Sequence, residues 1–318
     1  MMGAPERIVV ADEGNAGARR KAPEKVVKLK RPGRWASYLV MGVLALFAIR
    51  SVTTNPNFGW PVVAEYFTSP RVLAGLGNTL QLTMAAMVLG LVLGVVLAVM
   101  RLSTNPALSG PAGLYIWFFR GTPVFVQLLF WGFISALYPH VGLSIPGGPT
   151  FFALDTNSLI TPIVAAILGL GLNEAAYMAE IIRAGIVSVG NGQTEAAHAL
   201  GMSNFRTLRR VILPQAMRVI VPPTANNVIS MLKTTSLVSV LSFPELLYAT
   251  QLIYADNFQT IPLLITASIW YLIVTTIMTI GQYYLERHYG RSNRLEGQSL
   301  LRRLLQLQTR RGATASTR

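Results

Sequence analysis

GQTEAAHALGMSNFRTLRRVILPQAMRVIVPP, residues 192–223, is the stretch on which the reading of the whole chain turns. It combines a helical pattern with charge, and apolar runs flank it on both sides. Residues 193–200 read as a short helix whose apolar part is Ala196, Ala197, Ala199 and Leu200, with Glu195 near the positive end of the helix dipole. Gly201 falls where a left-handed C-terminal cap belongs. Ser203 can then cap a second helix, residues 204–213, which carries Arg206, Arg209 and Arg210 and is expected to stop before Pro214. Two short helices hinged at a glycine make a rigid, exposed knob. Position alone would also allow an ordinary loop between helices.

The surroundings are strongly apolar. Of 318 residues, 52% are hydrophobic and only 13% charged, against roughly a quarter charged in soluble domains. Several apolar runs reach the roughly 18 residues that a bilayer crossing requires, so the chain reads as an all-α integral membrane protein. Six spans are expected, at residues 35–53, 78–100, 115–138, 159–182, 219–242 and 261–285. The third is interrupted at Arg120-Gly121-Thr122-Pro123, where Thr122 suits an N-cap and Pro123 a first helical residue. Residues 54–76, 139–158 and 243–260 read as loops. Basic residues before residues 35–53 also describe a signal peptide. No small-x-small site follows Ile49, and Arg50 stands there instead, so an uncleaved helix is expected.

The formal charge is +14, from 27 Lys and Arg against 13 Asp and Glu. Nine of the basic residues lie in residues 1–34; two are Arg101 and Arg120; five are Arg183, Arg206, Arg209, Arg210 and Arg218; eight follow residue 285. If the spans alternate from a cytoplasmic N-terminus, 24 of the 27 therefore lie inside, as cytoplasmic loops of membrane proteins do. Only Arg50 and Arg71 fall outside, and Lys233 lies within a span. This distribution points to a membrane rather than to nucleic acid, and it puts the knob and both termini in the cytoplasm. Residues 1–34 read as a disordered basic tail and residues 288–318 as a second basic tail, the first suited to anionic lipid. The chain has no cysteine, so no disulfide framework exists.

Chemistry within the chain is not expected. There is no Gly-x-x-x-x-Gly-Lys-Ser/Thr phosphate loop, His140, His198 and His288 lack metal-ligand spacing, and no serine sits in a Gly-x-Ser-x-Gly elbow. The informative residues are polar groups at membrane depth, where a lone charge costs roughly 2.5–3.5 kcal/mol or more. Asn226, Ser230, Lys233 and Thr234 share one helical face, and Asn173, Tyr177 and Glu180 share another, with Glu174 adjacent. Two polar stripes suggest a water-accessible pathway. Lys233 either lines it or pairs with Glu180 or Glu174, and Glu180 also lies close to Arg183. Gln81 and Gln127 join the candidate set, although uncharged amides also bridge helices. Gly90 and Gly94 form a small-xxx-small pattern suited to helix packing.

Glu195-Ala196-Ala197, then Gly201 and Leu213-Pro214, resemble the EAA signature of permease subunits of ATP-binding-cassette (ABC) importers; Val211 stands where that signature has isoleucine. Gly77-Asn78-Thr79-Leu80-Gln81-Leu82-Thr83, Arg120-Gly121-Thr122-Pro123, Ala176-Tyr177-Met178-Ala179-Glu180 with Arg183-Ala184-Gly185, and Leu232-Lys233-Thr234-Thr235-Ser236-Leu237 resemble the polar-amino-acid branch of the same family. The likeness covers roughly residues 72–287. It implies a five-helix type I importer core, with residues 35–53 as an added N-terminal helix and a cytoplasmic coupling loop at residues 191–214. By resemblance, Glu195, Ala196, Ala197, Gly201, Leu213 and Pro214 couple the subunit to an ATPase dimer that holds the ATP, while the chain itself carries no catalytic residue, cofactor or metal. The resemblance also implies an extracytoplasmic solute-binding protein, a second permease subunit (identical or paralogous), and a multi-pass place in the bacterial inner membrane. The family usually has an acidic or amide residue where Thr234 stands, which leaves the local charge pairing of Lys233 open. A self-contained carrier or channel driven by an ion gradient, and a membrane scaffold without transport, are the competing readings.

Overall fold

The computed structural model describes residues 32–144 and 150–289. The expected basic tails lie outside the described residues, apart from residues 32–34 and 288–289. The chain divides into two units, residues 1–58 and Gly59–Arg318. In the first, helix α1 (Pro32–Thr54) is followed by one 3-10 turn, Pro56–Phe58. Its last turn is closed by Thr53 and Thr54, whose hydroxyls donate to the carbonyls of Ile49 and Arg50 at 2.9 and 2.7 Å.

The second unit is helical apart from one hairpin. Helix α2 (Trp60–Phe67) precedes α3 (Pro70–Leu102), which begins eight residues before the expected span. Ser69 makes the difference: its hydroxyl accepts from the Val72 N–H, and Pro70 fills a first-turn position where a missing N–H costs nothing. Next come α4 (Pro106–Gly121) and α5 (Val124–Gly132), bent by 100° at the expected interruption. The cap differs from expectation. Pro123 occupies the N-cap position of α5, and the Thr122 hydroxyl donates backward to the Phe118 carbonyl at 2.9 Å.

After α6 (Ile134–Leu137), the stretch expected as a loop forms an antiparallel hairpin, β1 (His140–Ser144) with β2 (Thr150–Asp155). Asp155 then caps α7 (Thr156–Leu159) by accepting from the N–H groups of Asn157 and Ser158. Helix α8 (Pro162–Val187) leads to the knob, α9 (Asn191–Ala199) and α10 (Asn204–Thr207). A π-helical turn (Leu208–Ile212), α11 (Leu213–Thr234) and a 3-10 segment (Thr235–Leu241) follow without a break. The expected stop before Pro214 is thus corrected. The π turn loosens the bonding ladder just ahead of the proline that cannot donate to it, and the helix runs on. The expected loop at residues 243–260 is also corrected, because it contains α12 (Leu246–Asn257). Helix α13 (Thr260–Tyr289) closes the described chain.

Among the described residues, four helices are long and apolar enough to cross a membrane, and up to six segments qualify if each bent pair counts as one span. Contacts give their relative directions. On α3 and α8, Gly90 meets Glu174 and Gly94 meets Met178, so these two helices run parallel. Helix α8 meets α5 antiparallel (Asn173 to Gln127, Gly169 to Leu128), and meets α11 antiparallel (Glu174 to Asn227, Gly185 to Ile220). The bent pair α4–α5 therefore carries the chain back between two parallel helices.

Lipid is as apolar as leucine, so helices in a bilayer gain little from burying greasy faces and depend on close packing. The small residues supply it. A Cβ at Gly94 would lie 2.5 Å from the Met178 Cβ, and one at Gly90 would lie 2.8 Å from the Glu174 side chain. Around this contact Leu82, Met87, Leu128, Leu170, Met178, Ile220 and Met231 form the main core. Gly94→Val is expected to lower the thermal midpoint of the purified protein by an overpacking cost of about 1–3 kcal/mol. Gly110→Ala, where an added Cβ meets nothing within 4 Å, should leave the midpoint in place. Equal midpoints for Gly94→Val and the parent would refute this account of the packing.

Candidate functional site

The break between α4 and α5 leaves carbonyls without helical partners, and two amides take them. Gln127 Nε2 donates to the Thr122 hydroxyl at 2.7 Å and to the carbonyls of Phe119 and Thr122, each at 3.1 Å. Asn173 Nδ2, from α8, donates to the Phe119 carbonyl at 2.8 Å and to Gln127 Oε1 at 3.2 Å. Irregular backbone at membrane depth needs this kind of internal satisfaction. Gln127 is buried, so its place is a clamp on the break.

Beside the clamp, α8 and α11 enclose a cavity of about 260 Å³. Helix α8 presents Asn173, Glu174 and Tyr177 to it, and α11 presents Asn227, Ser230 and Thr234; Val124, Leu170 and Met231 form its apolar wall. Glu174 is 7% exposed and is pressed against Gly90. One of its oxygens accepts from Asn227 Nδ2 at 2.8 Å. Tyr177 carries the Arg120 guanidinium over its ring at 5.3 Å, a cation–π contact. One turn further along α8, Arg183 donates to Glu180 through Nε and Nη2, closest at 2.9 Å.

Of the pathway candidates, the cavity gathers Asn173, Tyr177, Ser230 and Thr234. Gln81 is exposed on α3, Asn226 is exposed on α11, and Glu180 is taken by Arg183. Lys233 is exposed and has no ion pair among the described residues, so neither Glu174 nor Glu180 is its partner. Two cavity residues fall outside the expected stripes, Glu174 and Asn227. The signal lay in the neighbours: each stands one position from a candidate, and a shift of about 100° in helical phase brings them onto the facing side.

The knob is built by its glycine. Gly201 has φ +74, with its N–H donating to the His198 carbonyl at 2.9 Å and the Met202 N–H to the Ala197 carbonyl at 3.0 Å. That pair of bonds is the Schellman closure of α9. Ser203 holds the N-cap position of α10 but its side chain makes no cap bond. The placement of Glu195 is corrected. The helix starts at Asn191, so Glu195 is in the second turn, where the dipole no longer acts strongly. Glu195, Ala196, Gly201, Leu213 and Pro214 are exposed, and Ala197 is buried against the knob. Leu200 and Phe205, 83% and 72% exposed, stand on either side of Gly201. Two bare apolar side chains thus flank the turn, a feature that the pattern of charges did not reveal.

Residues 90–291 match the family described as "Binding-protein-dependent transport system inner membrane component". The arginine transport system permease protein ArgU of Corynebacterium glutamicum is 46% identical over 281 residues, covering 87% of this chain and 87% of that one. The histidine/lysine/arginine/ornithine transport system permease protein HisM of Escherichia coli is 37% identical over 204 residues, covering 64% and 82%. Among solved structures, a crystal structure of an amino acid ABC transporter with histidines shares 34% identity, with a TM-score of 0.57 over 69% of this chain and 94% of that one. With the broken-helix core, the polar cavity and the knob, these likenesses place the chain in the family of inner-membrane components of binding-protein-dependent transport systems, as a permease subunit of an amino-acid ABC importer.

Proposed function

We propose that this subunit imports a cationic amino acid, arginine or a close relative, and that Glu174 recognises its positive end. The chain is the translocating component of its importer, and ATP is hydrolysed on the partner ATPase. One observation carries the substrate reading. Among the described residues lining the cavity, Glu174 is the only acidic one and none is basic. A carboxylate at membrane depth is costly unless something positive offsets it, and its recorded partner is the neutral Asn227. Thr234 adds no charge. The names of the relatives, an arginine system and a histidine/lysine/arginine/ornithine system, point the same way.

In this reading the bent pairs each count as one crossing, α1 adds a sixth, and the knob and both termini face the cytoplasm. The subunit pairs with a second permease, identical or paralogous, and lipid surrounds the pair. An extracytoplasmic solute-binding protein delivers the amino acid. An ATPase dimer grips the two knobs through Leu200, Phe205 and the EAA residues around Gly201. Only contacts that differ between two states can shift their balance, and the knob is where the ATPase would apply such a difference. Its path to the cavity is short and stiff, since Asn204–Leu241 runs helically from α10 past Asn227, Ser230 and Thr234.

In proteoliposomes holding the full transporter and its binding protein, Glu174→Gln should reduce arginine uptake by roughly tenfold or more, the loss of one charge-assisted contact. Assembly with the ATPase should be retained. Undiminished arginine uptake by that variant would sink the substrate assignment. Gly201→Val places a branched residue in the left-handed region at a cost of about 1–2 kcal/mol, with no neighbour within 4 Å to complicate the result. Uptake and substrate-stimulated ATP hydrolysis should fall together while the complex still forms. Normal coupling in Gly201→Val would count against the knob as the lever.

A further inference from the structure

A second intramembrane carboxylate remains unexplained by the cavity. Glu245, at the start of α12, is 0% exposed. Its Oε1 accepts from the Tyr248 N–H at 2.7 Å, and its Oε2 accepts from the Leu247 N–H and the Tyr271 hydroxyl, each at 2.9 Å. Among the described residues, no cation pairs with it. Closing the first turn of a helix needs only a serine or threonine hydroxyl, which brings no buried charge. A glutamate does more here: through Tyr271 it ties α12 to α13. The adjoining backbone is tied to α3, because the Leu246 N–H donates to the Thr79 hydroxyl at 3.0 Å and Asn78 Nδ2 donates to the Pro244 carbonyl at 2.8 Å.

The segment so pinned is bounded by unusual backbone. Ser242 and Phe258 flank α12 and both are non-glycine residues in the left-handed region, at φ 58 and 59. Residues of this kind persist only where their surroundings force them, and they gather at switch regions. A 46° bend separates α12 from the helix before it. The preceding Thr235–Leu241 ends the helical run as 3-10 helix, whose hydrogen-bond geometry is poorer than that of an α-helix. That segment continues directly from Thr234 in the cavity wall, and its Leu241 packs where a Cβ on Gly132 would be. Helix α12 packs through Ala249 against Gly75 and through Ile253 into a cluster with Val72 and Leu263. On its other side a cavity of about 430 Å³ opens between α3 and α12, with the exposed pair Arg71 and Asp256 3.9 Å apart at its edge.

We propose that Glu245 is a positioning residue that latches α12, together with the 3-10 segment before it, as the outer gate over the cavity. Opening toward the binding protein breaks the Glu245–Tyr271 and Leu246–Thr79 bonds, and α12 swings between Ser242 and Phe258. The proposal rests on the reading above that the knob is cytoplasmic and that α11 and α12 make one crossing, which puts α12 at the extracytoplasmic end.

The test exploits the absence of native cysteine. Ser230→Cys provides one reporter thiol in the cavity of the assembled transporter, reconstituted without ATP or binding protein. A membrane-impermeant maleimide is added from the outer side. Tyr271→Phe and Glu245→Gln, each combined with the reporter, are expected to raise its labelling rate roughly tenfold, the factor for one lost hydrogen bond to a charged group. In the absence of the reporter, the same two variants should hydrolyse ATP faster without binding protein, which a loss of stability alone would not produce. Ser268→Ala removes another α13 hydroxyl, one that donates to the Leu264 carbonyl at 2.8 Å, and should change neither readout. Tyr271→Phe keeps the carboxylate and the ring, so it decides the matter if Glu245→Gln fails to assemble. Parental labelling and parental ATPase activity in Tyr271→Phe would overturn the latch. So would labelling that rises only from the cytoplasmic side. Neither readout uses arginine, so the result is independent of the Glu174 assignment.

Discussion

The contact between α3 and α8 is the constraint on which the rest of this subunit depends. Gly90 and Gly94 remove the side chains that would hold the two helices apart, and Glu174 and Met178 occupy the space. In a bilayer that closeness is the source of association, because greasy surface is equally well served by lipid. It also sets a rotation. With Met178 seated on Gly94 and Glu174 on Gly90, the next positions around α8, Asn173 and Tyr177, turn toward the α4–α5 break and the cavity beside it. The polar wall of the cavity follows from a packing decision made on an apolar face.

A second element converts a liability into architecture. The run at residues 120–123 cannot continue a helix, and broken backbone in hydrocarbon is intolerable unless its carbonyls are met. Gln127 and Asn173 meet them, one from within the broken span and one from α8. The 100° bend is thereby locked to the helix that carries the cavity. Arg120, released at the end of α4, reaches the Tyr177 ring on that same helix. Interruption, clamp and cavity wall form one connected structure rather than three separate features.

The knob connects to this structure without a joint. Gly201 closes α9 in a left-handed turn, and from Asn204 the helix runs through the π turn and Pro214 into α11. A stop at the proline would have left a flexible link between the knob and the membrane. The π turn instead accommodates the proline and keeps the rod continuous. In the proposed mechanism a displacement at Phe205 would travel along this one run to Asn227, Ser230 and Thr234.

The amino-acid sequence alone determined the membrane class, the order of the apolar segments, the break at residues 120–123, the left-handed closure at Gly201 and, through its motifs, the permease family. Each of these rests on local sterics, on hydrophobic run length or on residues at short spacing, all of which are written along the chain. Only the tertiary structure decided which polar groups face one another. Asn226 and Asn227, or Asn173 and Glu174, differ by one step of about 100° around a helix, and periodicity cannot say which step faces a neighbour. The glycine contact on α3 selects that phase. Likewise residues 243–260, expected as a loop, contain a helix capped by Glu245, and Thr79 and Tyr271, far away in sequence, supply partners at its first turn.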